Sequence, residues 1–255
     1  MKQCKNVCLA TIIVVYAACT NQATNNVTAA DLGNEVIAEA MKSENEWVDL
    51  FDGISLRGWH GFNKTAGIDN WIVVDSALVC LGAAEYDTGG DIVTDGKYEN
   101  FELTWDWKIE KDGNSGIMYQ VAESKKYVAP WETGPEYQMF DDSKDGRNEA
   151  GVSDTIASLQ TGSCYSMYKP NKLIKAKPLG EWNSSTIIVN RGHVEHWLNG
   201  DKIVEFQIGD EDWNKRIAEG KWKDYPDYGT VTKGRIALQD HGKKAYFKHI
   251  RIREL

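Results

Sequence analysis

Tyr98-Glu-Asn-Phe-Glu-Leu-Thr-Trp-Asp-Trp-Lys-Ile109 decides the fold. In an extended chain, successive side chains point to opposite faces. Phe101, Leu103, Trp105, Trp107 and Ile109 therefore share one face. Glu102, Thr104, Asp106 and Lys108 share the other. An apolar face against a charged one predicts a strand packed on one side and wet on the other, as in an antiparallel sheet. Trp105 and Trp107 are expected in the core, and Glu102 on the wetter face.

Outward from this strand the pattern repeats. Trp71-Ile-Val-Val74 and Ala77-Leu-Val-Cys-Leu81 flank Asp75-Ser76, which predicts a tight hairpin. Thr186 to Val189, Val194 to Leu198 and Lys202 to Phe206 predict a three-strand meander, with turns at Arg191-Gly192 and Asn199-Gly200. Gly234 to Gly242 and Ala245 to Leu255 are the closing strands. One helix is predicted near 210–220, with Asp210 as its cap, Trp213 and Ile217 on one face, and Gly220 at its end. Residues 142–180 lose regular alternation. Many short strands and one helix predict an all-β, two-sheet antiparallel sandwich.

The chain has 255 residues and a net charge of −9. Its acidity, with no basic stripe, argues against nucleic acid and against electrostatic binding to anionic lipid. Lys2 and Lys5 precede an apolar run from Val7 to Ala18 that is too short to span a bilayer. It ends at Tyr16-Ala-Ala-Cys19, which resembles a bacterial lipoprotein signal. The expectation is a signal over 1–18, a lipidated Cys19, a flexible tether over 19–45 and a folded domain over 46–255. The protein then resides at the bacterial cell envelope, lipid-anchored or periplasmic, and meets the membrane only through its anchor. Cys80 and Cys164 are candidates for buried thiols or for a disulfide.

The stretch Glu132-Thr-Gly-Pro-Glu-Tyr-Gln-Met-Phe-Asp-Asp142 carries the first chemical signal. Glu136 and Gln138 fall on one strand face, about 7 Å apart. A carboxyl beside an amide suits a polyhydroxylated ligand, with Glu136 as acid or base and Gln138 as a two-way hydrogen-bonder. The plainer reading is an exposed polar strand face. Gln239 and His241 share parity in a closing strand, so both can reach the same surface. His241 can act as acid, base or ligand near neutral pH. Asn114, Tyr119, Trp131 and Glu102 complete the candidate substrate-binding set. Asp141 is the candidate metal ligand. His196 fits a structural role. GxSxG, HExxH, CxxC and GxGxxG are all absent, which removes a serine elbow, a zinc site of those types and a nicotinamide fold.

The ordered set Leu50-Phe-Asp-Gly53, Leu56-Arg-Gly-Trp59, Asn114-Ser-Gly-Ile117, Gly134-Pro-Glu-Tyr-Gln138, Glu181-Trp-Asn183, His196-Trp-Leu-Asn-Gly200 and Leu238-Gln-Asp-His-Gly242 resembles the 3-keto-disaccharide hydrolase family over 46–255. The resemblance implies a jelly-roll sandwich of concanavalin or glucanase type. It also implies a small-molecule or oligosaccharide substrate and a functional partnership with a sugar 3-oxidoreductase. A ketone at C3 acidifies the C2 hydrogen. Glycosidic cleavage of a 3-keto-glycoside or 3-keto-disaccharide can then run by proton abstraction and elimination, with or without hydration. No cofactor is certain from the residues; a divalent metal could hold the oxyanion. The alternative on the same sandwich is a non-catalytic carbohydrate-binding module. An enzyme needs convergent titratable groups, which a binding module does not.

Overall fold

The computed structural model describes residues 46–64, 68–82, 90–143, 152–171 and 176–255. The leader, Cys19 and the tether lie outside them. Thirteen strands make two antiparallel sheets. The larger runs β11 (Asp201–Gln207), β10 (His193–Leu198), β9 (Asn183–Asn190), β6 (Phe101–Ile109), β13 (Ala245–Glu254), β4 (Ala77–Cys80) and β3 (Trp71–Val74). Short β1 (Val48–Asp49) pairs with β13. The smaller runs β2 (Trp59–Gly61), β5 (Ile92–Thr94), β12 (Arg235–Leu238), β7 (Asn114–Val121) and β8 (Glu136–Phe140). The architecture is the expected jelly-roll sandwich.

Strand β6 alternates between buried and half-buried along its whole length. Trp105 and Trp107 are buried, and Glu102 lies on the outer face against Arg253. The hairpin turns follow their sequence. Asp75 and Ser76, Arg191 and Gly192, and Asn199 and Gly200 all take positive φ, the twist that suits a two-residue antiparallel turn.

Helix α1 (Asp154–Ala157) is a single turn. Helix α2 (Glu211–Glu219) begins where Asp210 accepts the Trp213 amide at 2.7 Å. Trp213 anchors it through a run of stacked rings. Tyr168 and Phe206 lie 4.5 Å apart between centroids, Phe206 and Trp213 5.6 Å, Trp213 and Tyr228 5.8 Å, and Tyr228 and Trp222 4.0 Å. Such rings contribute through buried area and through offset stacking.

Strand β8 is an edge strand, yet all five of its residues are buried. Residues 161–165 cover its free edge. Gly162 donates to the Gln138 carbonyl at 2.8 Å, Gln138 to Ser163 at 3.2 Å, and Tyr165 to the Glu136 carbonyl at 3.0 Å. Residues 161–165 thus shield an open sheet edge. Cys80 and Cys164 are free, buried thiols, so they do not form the disulfide considered from sequence.

Ser185 ties the sheets together. Its hydroxyl accepts the Trp107 indole N–H at 2.8 Å and lies 2.8 Å from the Tyr137 hydroxyl on β8. Ser185→Ala leaves a buried indole donor without its acceptor. We expect a loss of about 1–3 kcal/mol in urea unfolding. An unchanged midpoint would remove Ser185 as an inter-sheet tie.

Candidate active site

The smaller sheet has an inner and an outer face. Ile92, Leu238, Ile117 and Tyr137 form a cross-strand row within the main core. The next row, Val93, Ala237 and Met118, belongs to a second apolar cluster with Phe62 and Val121, against which Tyr127 and Trp131 pack. Glu136 lies opposite Met118 in that outward row. One step along, Gly116 lies opposite Gln138, and its carbonyl accepts the Gln239 amide at 3.0 Å. Asp91 precedes Ile92, which sits opposite Leu238, so Asp91 comes level with Gln239. Parity therefore places Asp91, Gln239, Gly116 and Gln138 in one outward row across four strands.

This row floors a cleft of about 260 Å³. That is just below the usual range of ligand pockets, ~300–1,000 Å³. Asn114, Glu136, Gln138, Gln239 and His241 all line it, as does Trp131. Trp131, Tyr165, Trp222 and Tyr225 form an aromatic wall. Lys221 lies across that wall, its ammonium 4.5 Å from the Tyr165 centroid and 4.6 Å from that of Trp222. The amide oxygens of Asn114 and Gln239 are buried without a hydrogen-bond partner. Buried acceptors of this kind suit ligand hydroxyls.

Glu136 is 4% exposed. Burial pushes its carboxyl up to about 8; the Lys221 charge opposes the shift and Asp91 adds to it. A Cβ on Gly116 would come within 2.2 Å of Glu136 Oε1, so the carboxyl lies directly over bare backbone. Asp91 is 6% exposed and is raised to about 7, chiefly by burial, with the Asp240 charge adding to the shift. Its Oδ1 accepts the Asp240 amide at 2.8 Å. Asp240 is held in turn by the Gly242 amide at 2.9 Å and by Asn70 Nδ2 at 2.5 Å.

Three candidates from sequence lie elsewhere. Tyr119 faces the core, its hydroxyl 3.1 Å from His196 Nε2, because its parity on β7 is opposite to that of Gly116 and Met118. Glu102 pairs with Arg253 on the outer face of the other sheet. Asp141 is engaged by the Asp112 amide at 2.9 Å and by Ser143, so it braces a turn and does not face the cleft. Ser115, next to Asn114 on β7, is buried and donates to the Gln239 carbonyl at 2.7 Å. The plainer reading of β8 as an exposed polar face also fails, since Glu136 and Gln138 are both buried. His196 is structural. Its Nδ1 lies 3.0 Å from the Gly162 carbonyl, and burial lowers it to about 4.

Asp91, Asp240, Lys221, Tyr165, Trp222 and Tyr225 were not singled out from sequence. Strand β12 ends at Leu238, so Gln239 to His241 leave strand geometry and Asp240 enters the cleft as well. Parity could not show that. Among the described residues, the one group of three ligand atoms close enough for a metal is His193, Glu195 and Glu205 on the meander, where Lys202 already bridges both glutamates.

A sandwich carrying a small cleft lined by buried carboxyls, open amide acceptors and an aromatic wall suits a carbohydrate-active enzyme, the class to which its relatives also point. The family described as the 3-keto-alpha-glucoside-1,2-lyase-like domain matches residues 46–253, and the chain belongs to it. It is 30% identical over 231 residues to a 3-keto-disaccharide hydrolase of Bacteroides thetaiotaomicron, covering 82% of this chain and 78% of that one. A solved structure from Parabacteroides distasonis, provisionally assigned as a glycosyl hydrolase, is 44% identical with a TM-score of 0.72, covering 85% of this chain and 97% of that chain. A second from the same organism, with the same provisional assignment, is 25% identical with a TM-score of 0.63, covering 83% and 100%.

A carboxyl raised by burial binds more protons in the native state than in the unfolded chain. For Glu136 this holds between its ordinary value of 4.5 and about 8. Its contribution to stability is fully present below pH 4.5 and is lost as pH rises through 8. Glu136→Gln removes that dependence. The variant should match the wild type in melting temperature near pH 5 and exceed it near pH 9. A difference that does not change with pH would mean that Glu136 is not buried in its neutral form.

Proposed function

We propose that the protein cleaves the glycosidic bond of 3-keto-glycosides or 3-keto-disaccharides by elimination. Hydration of the product would complete a net hydrolysis. The observation that carries this reading is a buried, proton-avid carboxyl, Glu136, over the floor of a cleft sized for one sugar ring. Glu136 removes the C2 hydrogen, which the C3 ketone acidifies. His241 donates to the oxyanion that develops at O3. Gln138, Gln239 and Asn114 receive and orient the ring hydroxyls, and Trp131 covers one side of the ring. This route avoids the oxocarbenium ion that two carboxylates stabilise in ordinary glycosidases. A carboxyl raised to about 8 inside a cleft favours an enzyme over a binding module, because shifts of this kind cluster where proton transfer is needed.

The substrate must arrive already oxidised at C3, so a sugar 3-oxidoreductase is the natural functional partner. The lipoprotein-type leader supports an envelope location, with Cys19 as the anchor. Mass spectrometry of the mature N-terminus should find an acylated Cys19. An unmodified cysteine would end that part of the reading.

The purified protein should cleave a 3-keto-glucoside and leave the unoxidised parent intact. Glu136→Gln should lower kcat by about 10²–10⁴, the usual worth of general acid–base catalysis. In deuterated water the hydrolysed product should carry deuterium at C2. Full activity in Glu136→Gln, with C2 hydrogen retained from substrate, would exclude the elimination route.

A further inference from the structure

We propose that Asp91 is the catalytic acid that protonates the departing glycosidic oxygen, opposite Glu136 as the base. The assignment rests on the reading above and completes it, because elimination needs a proton donor for the leaving group as well as a base at C2.

The geometry comes from the sheet. Asp91 and Gly116 occupy the same outward row with Gln239 between them, two strand spacings apart, or about 9.5 Å between backbones. The Glu136 carboxyl lies over Gly116 rather than over its own row, which brings it toward Asp91. Two buried carboxyls thus line the floor of one cleft, whose volume of about 260 Å³ has room for one ring. His241, by contrast, follows the end of β12 and is half-buried at the rim.

Burial favours the protonated form of Asp91 as it does that of Glu136, and the productive state is the one in which Glu136 has lost its proton and Asp91 has kept its own. Asp91 Oδ1 is fixed by the Asp240 amide. That amide hydrogen bond favours the ionised form, and the Asp240 carboxylate, itself held by Gly242 and Asn70, partly offsets it by disfavouring a second charge beside its own. Lys64 opposes that effect weakly, and Glu136 is the other acid near the pair.

The step balances as follows. Glu136 takes the proton from C2, and the C2–H electrons form an enolate with its charge on O3. As the C3 carbonyl re-forms, the electrons make a C1=C2 bond and the C1–O bond breaks. The departing oxygen takes the proton from Asp91, giving an alcohol and a 3-keto sugar unsaturated at C1–C2. Addition of water places OH on C1 and H on C2, which returns Glu136 to its ionised form and Asp91 to its protonated form.

Asp91→Asn keeps an oxygen for the Asp240 amide and removes only the acidic proton. We would compare two 3-keto-glucosides, one with a methyl aglycone and one with a 4-nitrophenyl aglycone, which leaves without protonation. Asp91→Asn should lose about 10²–10⁴-fold in kcat on the methyl compound and less than tenfold on the nitrophenyl compound. Glu136→Gln should lose on both. Asp91→Asn should still exchange the C2 hydrogen of the methyl compound with deuterated water, a readout that a misfolded variant would fail. Equal losses on the two aglycones, loss of the C2 exchange, or no loss on either compound would overturn the assignment. Wild-type inactivity on both compounds would sink the underlying reading and this assignment together. It is distinguishable because it needs no variant.

Discussion

The contact between the Glu136 carboxyl and the bare backbone of Gly116 constrains everything around it. The carboxyl occupies the space that a side chain on the neighbouring strand would fill, and glycine leaves that space open. The carboxyl must also be kept dry, which the second apolar cluster achieves with Phe62, Val93, Met118, Val121 and Ala237 under Tyr127 and Trp131. The smaller sheet is therefore buried on both faces. The cleft opens within its outer layer.

Holding the cleft open takes packing from far outside it. The stacked rings from Tyr168 through Phe206, Trp213 and Tyr228 end at Trp222 in the cleft wall. Helix α2 thus acts on the site through Trp213, although its own residues do not line the cleft. Gly229 permits the closeness, since a Cβ there would come within 2.3 Å of the Trp213 ring. The rigid wall matters for chemistry because small errors in position weaken proton transfer sharply.

Periodicity was legible where one face was wet. Strand β6 and the meander β9–β11 carry their pattern in plain alternation, and helix α2 announces its cap at Asp210. It failed on the smaller sheet, where apolar and polar residues are both buried and no exposed face marks the register. Tyr119 illustrates the failure: as a lone aromatic in a mixed strand it could face either way, and it faces the core. Glu136 and Gln138 were readable as a pair because they are neighbours on one strand. Asp91 was not, because it reaches them only through β12 and β7, and no local pattern encodes a cross-strand row. The aromatic wall comes from residues 131, 165, 222 and 225, which only tertiary packing brings together.

These placements explain why the fold tolerates two unfavourable groups. Burying Glu136 and Asp91 lowers stability when either is ionised, and the raised proton affinity of each softens that loss. The large core of the sandwich supplies the surplus, anchored by Trp105, Trp107, Phe101 and Phe247. Because the two carboxyls sit on the outer face of the smaller sheet, their desolvation does not disturb the inter-sheet packing that Ser185 and Tyr137 complete on the inner face. The two faces of one five-stranded sheet thereby divide the tasks: the inner face holds the fold, and the outer face holds the strain that the chemistry requires.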